Sequence, residues 1–189
     1  MGYYDEAKNV NDYIKMAEGF DGQEFYDILI DYLDSESTVL ELGMGPGKDV
    51  DIFSQRYKVT GSDYSQVFLD YYLEKNPEAD LILLDAITMN TDRKFDCIYS
   101  NKVLYHLSRE EMKNSLEHQY ESLNNGGLIF HTLWYGDQEE EEFEGLNSVY
   151  YTESDLENML QFRFEIIEMK RYKEFEDGDS IYFIAKVKK

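Results

Sequence analysis

The stretch Val39-Leu40-Glu41-Leu42-Gly43-Met44-Gly45-Pro46-Gly47-Lys48-Asp49 decides the fold of this chain. A short apolar run ends in three glycines on alternate positions, and a helical pattern follows. The pattern reads as a buried strand, a tight turn and a helix N-terminus. Glycine lets the turn enter left-handed backbone and lets a ligand approach the main chain closely. The helix start adds unpaired N–H groups and a partial positive charge. Such a turn suits a ligand carrying a carboxylate, a phosphate or several hydrogen-bond acceptors.

Spacing separates the ligand classes. A phosphate-cradling P-loop requires Gly, four residues, then Gly-Lys-Ser/Thr. Leu42 stands where the first glycine belongs and Asp49 where the magnesium-binding hydroxyl belongs, so nucleoside triphosphate binding is rejected. A dinucleotide fingerprint fits at Gly43 and Gly45 but meets Lys48 at its third glycine position. A long cation there argues against NAD or FAD, and an NAD-linked oxidoreductase stays as a competing reading.

Three further segments follow in order. Val59-Thr60-Gly61-Ser62-Asp63 is a second strand ending in an acid, twenty positions after Gly43. At that distance a carboxylate meets ribose hydroxyls, accepting two hydrogen bonds from a cis-diol. The alternative role for Asp63 is a helix cap, for which Ser65 competes. Leu81-Ile82-Leu83-Leu84-Asp85-Ala86 is a third strand ending in Asp-Ala. Phe95 to Asn101 is a fourth, and it runs into Lys102-Val103-Leu104-Tyr105-His106-Leu107.

The Glu-Leu-Gly-x-Gly-x-Gly turn at 41–47 resembles motif I of the class I S-adenosylmethionine (SAM) dependent methyltransferases. Asp96 to Leu107 is similar to that family's Asp-x-Ile-x-x-x-x-x-Leu-x-His-Leu pattern, and the resemblance runs from Leu40 to Val187. It implies SAM as methyl donor and S-adenosylhomocysteine as product. Glu41 would fix the turn and contact the methionine end of SAM, above Gly43, Gly45 and Gly47. Asp63 and Tyr64 would lie at the ribose, Asp85 would accept from the adenine amino group, and the Ala86 N–H would donate to the ring. Ser100 and Asn101 complete the implied cofactor set. A SAM-binding or partner-binding protein without turnover is the second competing reading.

Strand–helix alternation predicts an α/β domain with a parallel sheet and right-handed crossovers. Helices are expected from Lys48 to Tyr57, from Ser65 to near Pro77, and from Ser108 to Leu123. Ser108-Arg109-Glu110-Glu111 is a capping box, Asn125-Gly126-Gly127 closes that helix, and Thr152 caps another. Leu128 to Leu133 is a fifth strand. Phe164 to Glu168 and Ser180 to Val187 are strands joined by a hairpin loop at Phe175 to Asp179, which forces one antiparallel strand into the sheet. The resemblance implies a Rossmann-like, doubly wound seven-stranded sheet, order 3-2-1-4-5-7-6, strand 7 antiparallel, helices on both faces. Residues 1–189 then form a single domain: an N-terminal helical cap over 1–37 and a core over 38–189 with a lid at 134–150. Asp21 is the expected cap of the helix carrying Phe25, Ile28, Leu29 and Tyr32.

Ligands of open α/β sheets lie beyond the carboxyl ends of the strands, at the switch in strand order. Residues after the fourth and fifth strands then face the methyl acceptor: Tyr105, His106, His131, Trp134 and Tyr135, with Tyr13 reaching in from the cap. Methyl transfer from a sulfonium needs alignment and exclusion of water, and a base only when the acceptor must lose a proton. His106 is the candidate base because imidazole titrates near neutrality. His118 is expected mid-helix and exposed. The three histidines lack metal-ligand spacing and there is one cysteine, so no metal site is expected.

Composition sets outer bounds. A chain of 189 residues that is 42% hydrophobic can bury a sizeable core. The formal charge of −22 repels nucleic acid and anionic lipid, so the expected partner is a small-molecule methyl acceptor. No apolar run suits a membrane span or signal peptide, and a cytoplasmic setting fits. Oligomeric state, monomer or homodimer, stays open.

Overall fold

The structure is a computed structural model and describes residues 3–19, 22–138, 140–143 and 146–188. Two helices come first, α1 (Ala7–Met16) and α2 (Gln23–Leu29). The glycine-ended run is then β1 (Thr38–Leu42). Leu40 and Leu42 enter one hydrophobic cluster and Val39 the cluster on the opposite face. That two-sided burial is why apolar side chains occupy both faces of the strand rather than one. There follow α3 (Lys48–Phe53), β2 (Lys58–Asp63), α4 (Gln66–Leu73), β3 (Leu81–Leu83), β4 (Phe95–Asn101), α5 (Arg109–Glu121) and β5 (Leu123–Trp134). A small hairpin, β6 (Glu141–Phe143) with β7 (Leu146–Ser148), precedes α6 (Glu153–Leu160), β8 (Phe164–Tyr172) and β9 (Ser180–Val187).

The main sheet has seven strands in the order β3-β2-β1-β4-β5-β9-β8. With the separate β6–β7 hairpin left out of the count, this is the expected 3-2-1-4-5-7-6. β9 runs antiparallel to both β5 and β8, while β1, β2, β3, β4 and β5 pair in parallel. The order reverses between β1 and β4, so the carboxyl ends of those two strands frame the crevice.

Several boundaries differ from expectation. α3 stops at Phe53 because, beyond the Ser54 cap, the N–H groups of Gln55 and Arg56 bond three residues back and tighten the last turn. α5 stops at Glu121, so Asn125-Gly126-Gly127 closes no helix. Those residues lie within β5, where Gly126 takes left-handed backbone (φ +78°) and the register against β4 shifts between Phe95 and Cys97. The capping boxes at Ser108/Glu111 and Thr152/Asp155 form as expected. Gly22 stands at the N-cap of α2, and Asp21 lies outside the described residues. Cys97 is fully buried in β4, and burial pushes its thiol up, as suits an inert core residue.

Candidate active site

The turn after β1 is held from below. The Met44 N–H donates to the Ser62 carbonyl (2.8 Å), and the Gly45 N–H donates to Asp63 Oδ2 (3.0 Å). Asp63 Oδ1 accepts from the Ser65 N–H (2.9 Å). One carboxylate therefore ties the glycine turn to the end of β2 while still lining the cavity above. Burial pushes its pKa up, against backbone N–H groups of Ser65, Gly45 and Tyr64 that pull it down. Gly43 (φ +69°) and Gly45 (φ +49°) both need left-handed backbone, but for different neighbours. A Cβ on Gly43 would stand 2.5 Å from Val103 Cγ1, whereas one on Gly45 meets only the Tyr13 ring, at 3.5 Å.

Below the turn lies an acidic floor. Glu41 is 4% exposed, and its Oε2 has no hydrogen-bond partner among the described residues. Burial, then the charges of Asp49, Asp63 and Asp51, push its carboxyl well above the usual range. Asp49, in the first turn of α3, accepts from the Tyr99 hydroxyl (2.7 Å) and from Asn101 Nδ2 (3.1 Å). Asn101 in turn accepts from the Thr132 hydroxyl (2.7 Å). Glu41 and Asp49 line a chamber of about 350 Å³. It shares Tyr13, Gly43, Gly45, Asn101 and Glu174 with a larger chamber of about 670 Å³.

The larger chamber collects the other predicted residues: Asp63, Tyr64, Asp85, Ala86, Tyr105, His106 and Trp134. Asp85 Oδ1 accepts from the N–H groups of Ile87 (2.6 Å) and Thr88 (3.2 Å), which bends the loop after β3 around it. The N-terminal segment closes over the Asp63–Ser65 end. The Tyr4 N–H donates to the Tyr64 hydroxyl (3.2 Å), and the Ser65 hydroxyl donates to the Tyr4 carbonyl (2.6 Å). The rings of Tyr4 and Tyr13 pack on each other and on Phe68.

At the other end, His106 sits in a short helical turn, Leu104–His106, directly after β4. Its Nδ1 lies 2.8 Å from the Asn147 carbonyl of β7. A carbonyl only accepts, so Nδ1 carries the proton and Nε2 is left as a lone-pair acceptor. Burial pulls the imidazole pKa below 6.5, opposed by the Asn147 contact. The Tyr105 ring lies 3.9 Å from that of His106, and Trp134 packs edge-on to Tyr105 and stacks on Phe175. Lys102 Nζ lies 3.3 Å above the Trp134 ring and donates to the Leu133 carbonyl (3.1 Å) and the Ser180 hydroxyl (2.7 Å).

Four predicted site residues lie elsewhere. His131 is 0% exposed, inside the protein, with Nδ1 against the Ser100 hydroxyl (2.8 Å) and Nε2 against Gln119 Oε1 (2.7 Å). It sits mid-strand, three residues short of the β5 end, so its side chain meets α5 rather than either chamber. Ser100 is equally buried and directs its hydroxyl to His131. Tyr135 turns away under the Arg171 guanidinium, 3.8 Å from its ring. Gly47 packs against the Tyr72 ring and lines neither chamber. His118 is half-buried and bonds the Ile87 carbonyl (2.8 Å). The expected lid is only part of the wall: Leu146 and Asn147 line the larger chamber, and so do Glu174 and Phe175 of the β8–β9 loop. Asp49 carried a sequence signal, an acid in the first turn of a helix. Lys102, Glu174 and Phe175 reach the site only through the folding of the sheet.

A seven-stranded sheet of this order, with a glycine turn after β1 and acids at the ends of β2 and β3, defines the class I SAM-dependent methyltransferase fold. Residues 39–127 match the family model described as a methyltransferase domain. No curated protein matches the chain in sequence. Among solved structures, a SAM-dependent methyltransferase from Clostridium acetobutylicum is 15% identical with a TM-score of 0.78, covering 94% of this chain and 98% of that one. The 1,6-didemethyltoxoflavin-N1-methyltransferase of Burkholderia thailandensis, solved with 1,6-didemethyltoxoflavin and S-adenosylhomocysteine, is 16% identical with a TM-score of 0.78, covering 95% and 87%. The N-methyltransferase NodS of Bradyrhizobium japonicum, solved with S-adenosylhomocysteine, is 16% identical with a TM-score of 0.71, covering 88% and 87%. The chain thus has the class I methyltransferase fold, with a match to a methyltransferase domain over residues 39–127. Among the described residues no helix is long and apolar enough to cross a membrane, and no cluster of His, Cys, Asp or Glu has the makings of a metal site.

Proposed function

We propose that this protein transfers a methyl group from SAM to a small-molecule acceptor bound between Tyr105, His106 and Trp134. The observation that carries the reading is the buried, unpartnered Glu41 Oε2 beneath the glycine turn, in a chamber continuous with one that holds Asp63, Asp85 and His106. A buried carboxylate oxygen without a partner costs stability, so it calls for a cationic donor from outside the chain. The ammonium of a methionine moiety is such a donor. Asp63 suits the ribose, and Asp85 keeps Oδ2 for an amino group while Oδ1 holds its own loop. The bare Gly45 leaves the main chain open to close approach.

Bound SAM supplies a methyl carbon activated by the adjacent sulfonium. The chain's part is to align the acceptor, exclude water and manage one proton. Tyr4 and Tyr13 cover the turn and keep water out. His106 Nε2 takes the proton of an acceptor O–H or N–H, while Nδ1 stays anchored on Asn147. Titration calorimetry tests the cofactor reading with S-adenosylhomocysteine and with NADH. Micromolar binding of the first and none of the second is expected. NADH binding with no heat from the first would overturn it.

A further inference from the structure

His131 does not face the acceptor, yet it belongs to an ordered chain of buried polar groups. Ser100, Ser115, Gln119 and His131 are each 0% exposed. Five groups connect without a break. The Ser115 hydroxyl lies 2.7 Å from the Ala86 carbonyl, which can only accept. Gln119 Nε2 donates to Ser115 Oγ (3.0 Å), so the amide oxygen of Gln119 faces His131. That oxygen only accepts, so His131 carries its proton on Nε2. His131 Nδ1 is then an acceptor for the Ser100 hydroxyl (2.8 Å). Every donor in the chain has one direction open to it. Burial pulls the His131 pKa down to about 3, which keeps the imidazole neutral and the direction fixed.

The chain ends on the loop after β3. Ser115, His118 and Gln119 share one face of α5, at i, i+3 and i+4. Ser115 holds the Ala86 carbonyl and His118 the Ile87 carbonyl, 2.7 and 2.8 Å away. Ile87 and Thr88 are the residues whose N–H groups grip Asp85 Oδ1. α5 therefore grips the loop from behind by two consecutive carbonyls, leaving the Asp85–Ala86 edge facing the cavity.

We infer that Ser115, Gln119 and His131, anchored on Ser100, form a positioning relay that presets the Asp85–Ala86 edge for a purine amino group. The inference deepens the SAM reading and rests on it for the identity of the purine. Ordering the loop before binding removes that entropic cost from the binding step. The relay residues touch no ligand; they act through the loop.

Ser115→Ala removes the side-chain donor to the Ala86 carbonyl. Native-state hydrogen exchange on the full chain, without ligand, is expected to quicken about tenfold at the Ile87, Thr88 and Met89 amides while the β8–β9 ladder keeps its rates. Ser115→Cys, close in volume and a weaker donor, is expected to move the same amides by a smaller factor and serves if the alanine variant folds poorly. Affinity for S-adenosylhomocysteine should fall about five- to tenfold in Ser115→Ala. Affinity for the S-inosyl analogue, which lacks the purine amino group, should change less than twofold. Unchanged exchange at Ile87 to Met89 would overturn the relay, as would an equal rise throughout the sheet or an equal loss for both nucleosides. Failure of the wild-type protein to bind either nucleoside sinks the SAM reading alone, since the exchange result stands without it.

Discussion

Gly43 and Gly45 share a turn and a left-handed backbone, but substitution should separate a residue needed by the fold from one needed by the ligand. Alanine in left-handed backbone costs about 1.5 kcal/mol at either position. At Gly45 little else is added, because the new Cβ finds only the Tyr13 ring at an ordinary contact distance of 3.5 Å. At Gly43 the Cβ would press on both Val103 methyls, at 2.5 and 2.6 Å. Overpacking of that kind adds about 2 kcal/mol. A chain of this size loses about 3 °C of Tm per kcal/mol. Thermal unfolding followed by circular dichroism should therefore fall by about 4 °C in Gly45→Ala and about 10 °C in Gly43→Ala. Binding should run the other way. On the SAM reading, an alanine methyl at position 45 would project where the ligand approaches the main chain, and a methyl forced into such a contact costs about 1–3 kcal/mol, or roughly 5- to 150-fold in Kd. Gly43→Ala, assayed at 10 °C where it stays folded, should keep its S-adenosylhomocysteine Kd within about threefold. The reasoning is refuted if Gly45→Ala binds with wild-type affinity, or if it loses more Tm than Gly43→Ala.

Glu41→Gln should raise Tm at pH 7–8 and weaken S-adenosylhomocysteine binding. The folded-state pKa of Glu41 lies above its unfolded value of 4.5, so wild-type stability is lost as pH climbs from there through the raised pKa. The variant's advantage should accordingly shrink toward pH 4.5, and an advantage growing toward acid would contradict the assignment. Trp134 is the single tryptophan, so its fluorescence should report the Lys102 ammonium 3.3 Å above its ring. Burial, partly offset by Glu174 and Asp179, pulls that amine down to about 7; an emission change with a midpoint near 7, absent in Lys102→Met, is expected. Once an acceptor is in hand, His106→Gln should lower kcat by about 10²–10⁴-fold with cofactor Kd unchanged. Because burial holds the His106 pKa below 6.5, the wild-type rate should fall off only on the acid side of that value as Nε2 is protonated.

The strands, the glycine turn and the acids beside it were legible because they rest on local chemistry, whereas the strand order came from the family resemblance. A short, mainly apolar run ended by glycines fits a strand covered on two faces, as β1 is. Glycines at alternate positions mark backbone that other residues resist, and acids at strand ends fall at the crevice whatever the loops do. The capping boxes at Ser108 and Thr152 formed where their spacing said, for the same local reason. The Tyr105–Trp134 end of the larger chamber was not legible in this way. A strand residue's role depends on the face it takes and on what packs there. His131 and Trp134 lie in the same strand, yet one is sealed against α5 and the other stands at the chamber wall. Lys102, just past β4, and Phe175 of the β8–β9 loop meet Trp134 only because β9 inserts antiparallel beside β5, and Glu174 of that loop lines the same chamber. The chain's own sequence determined the cradle, through backbone freedom and the positions of charge. Tertiary structure alone decided which side chains were spent as internal struts, since burial and hydrogen-bond partners arise between segments distant in the chain.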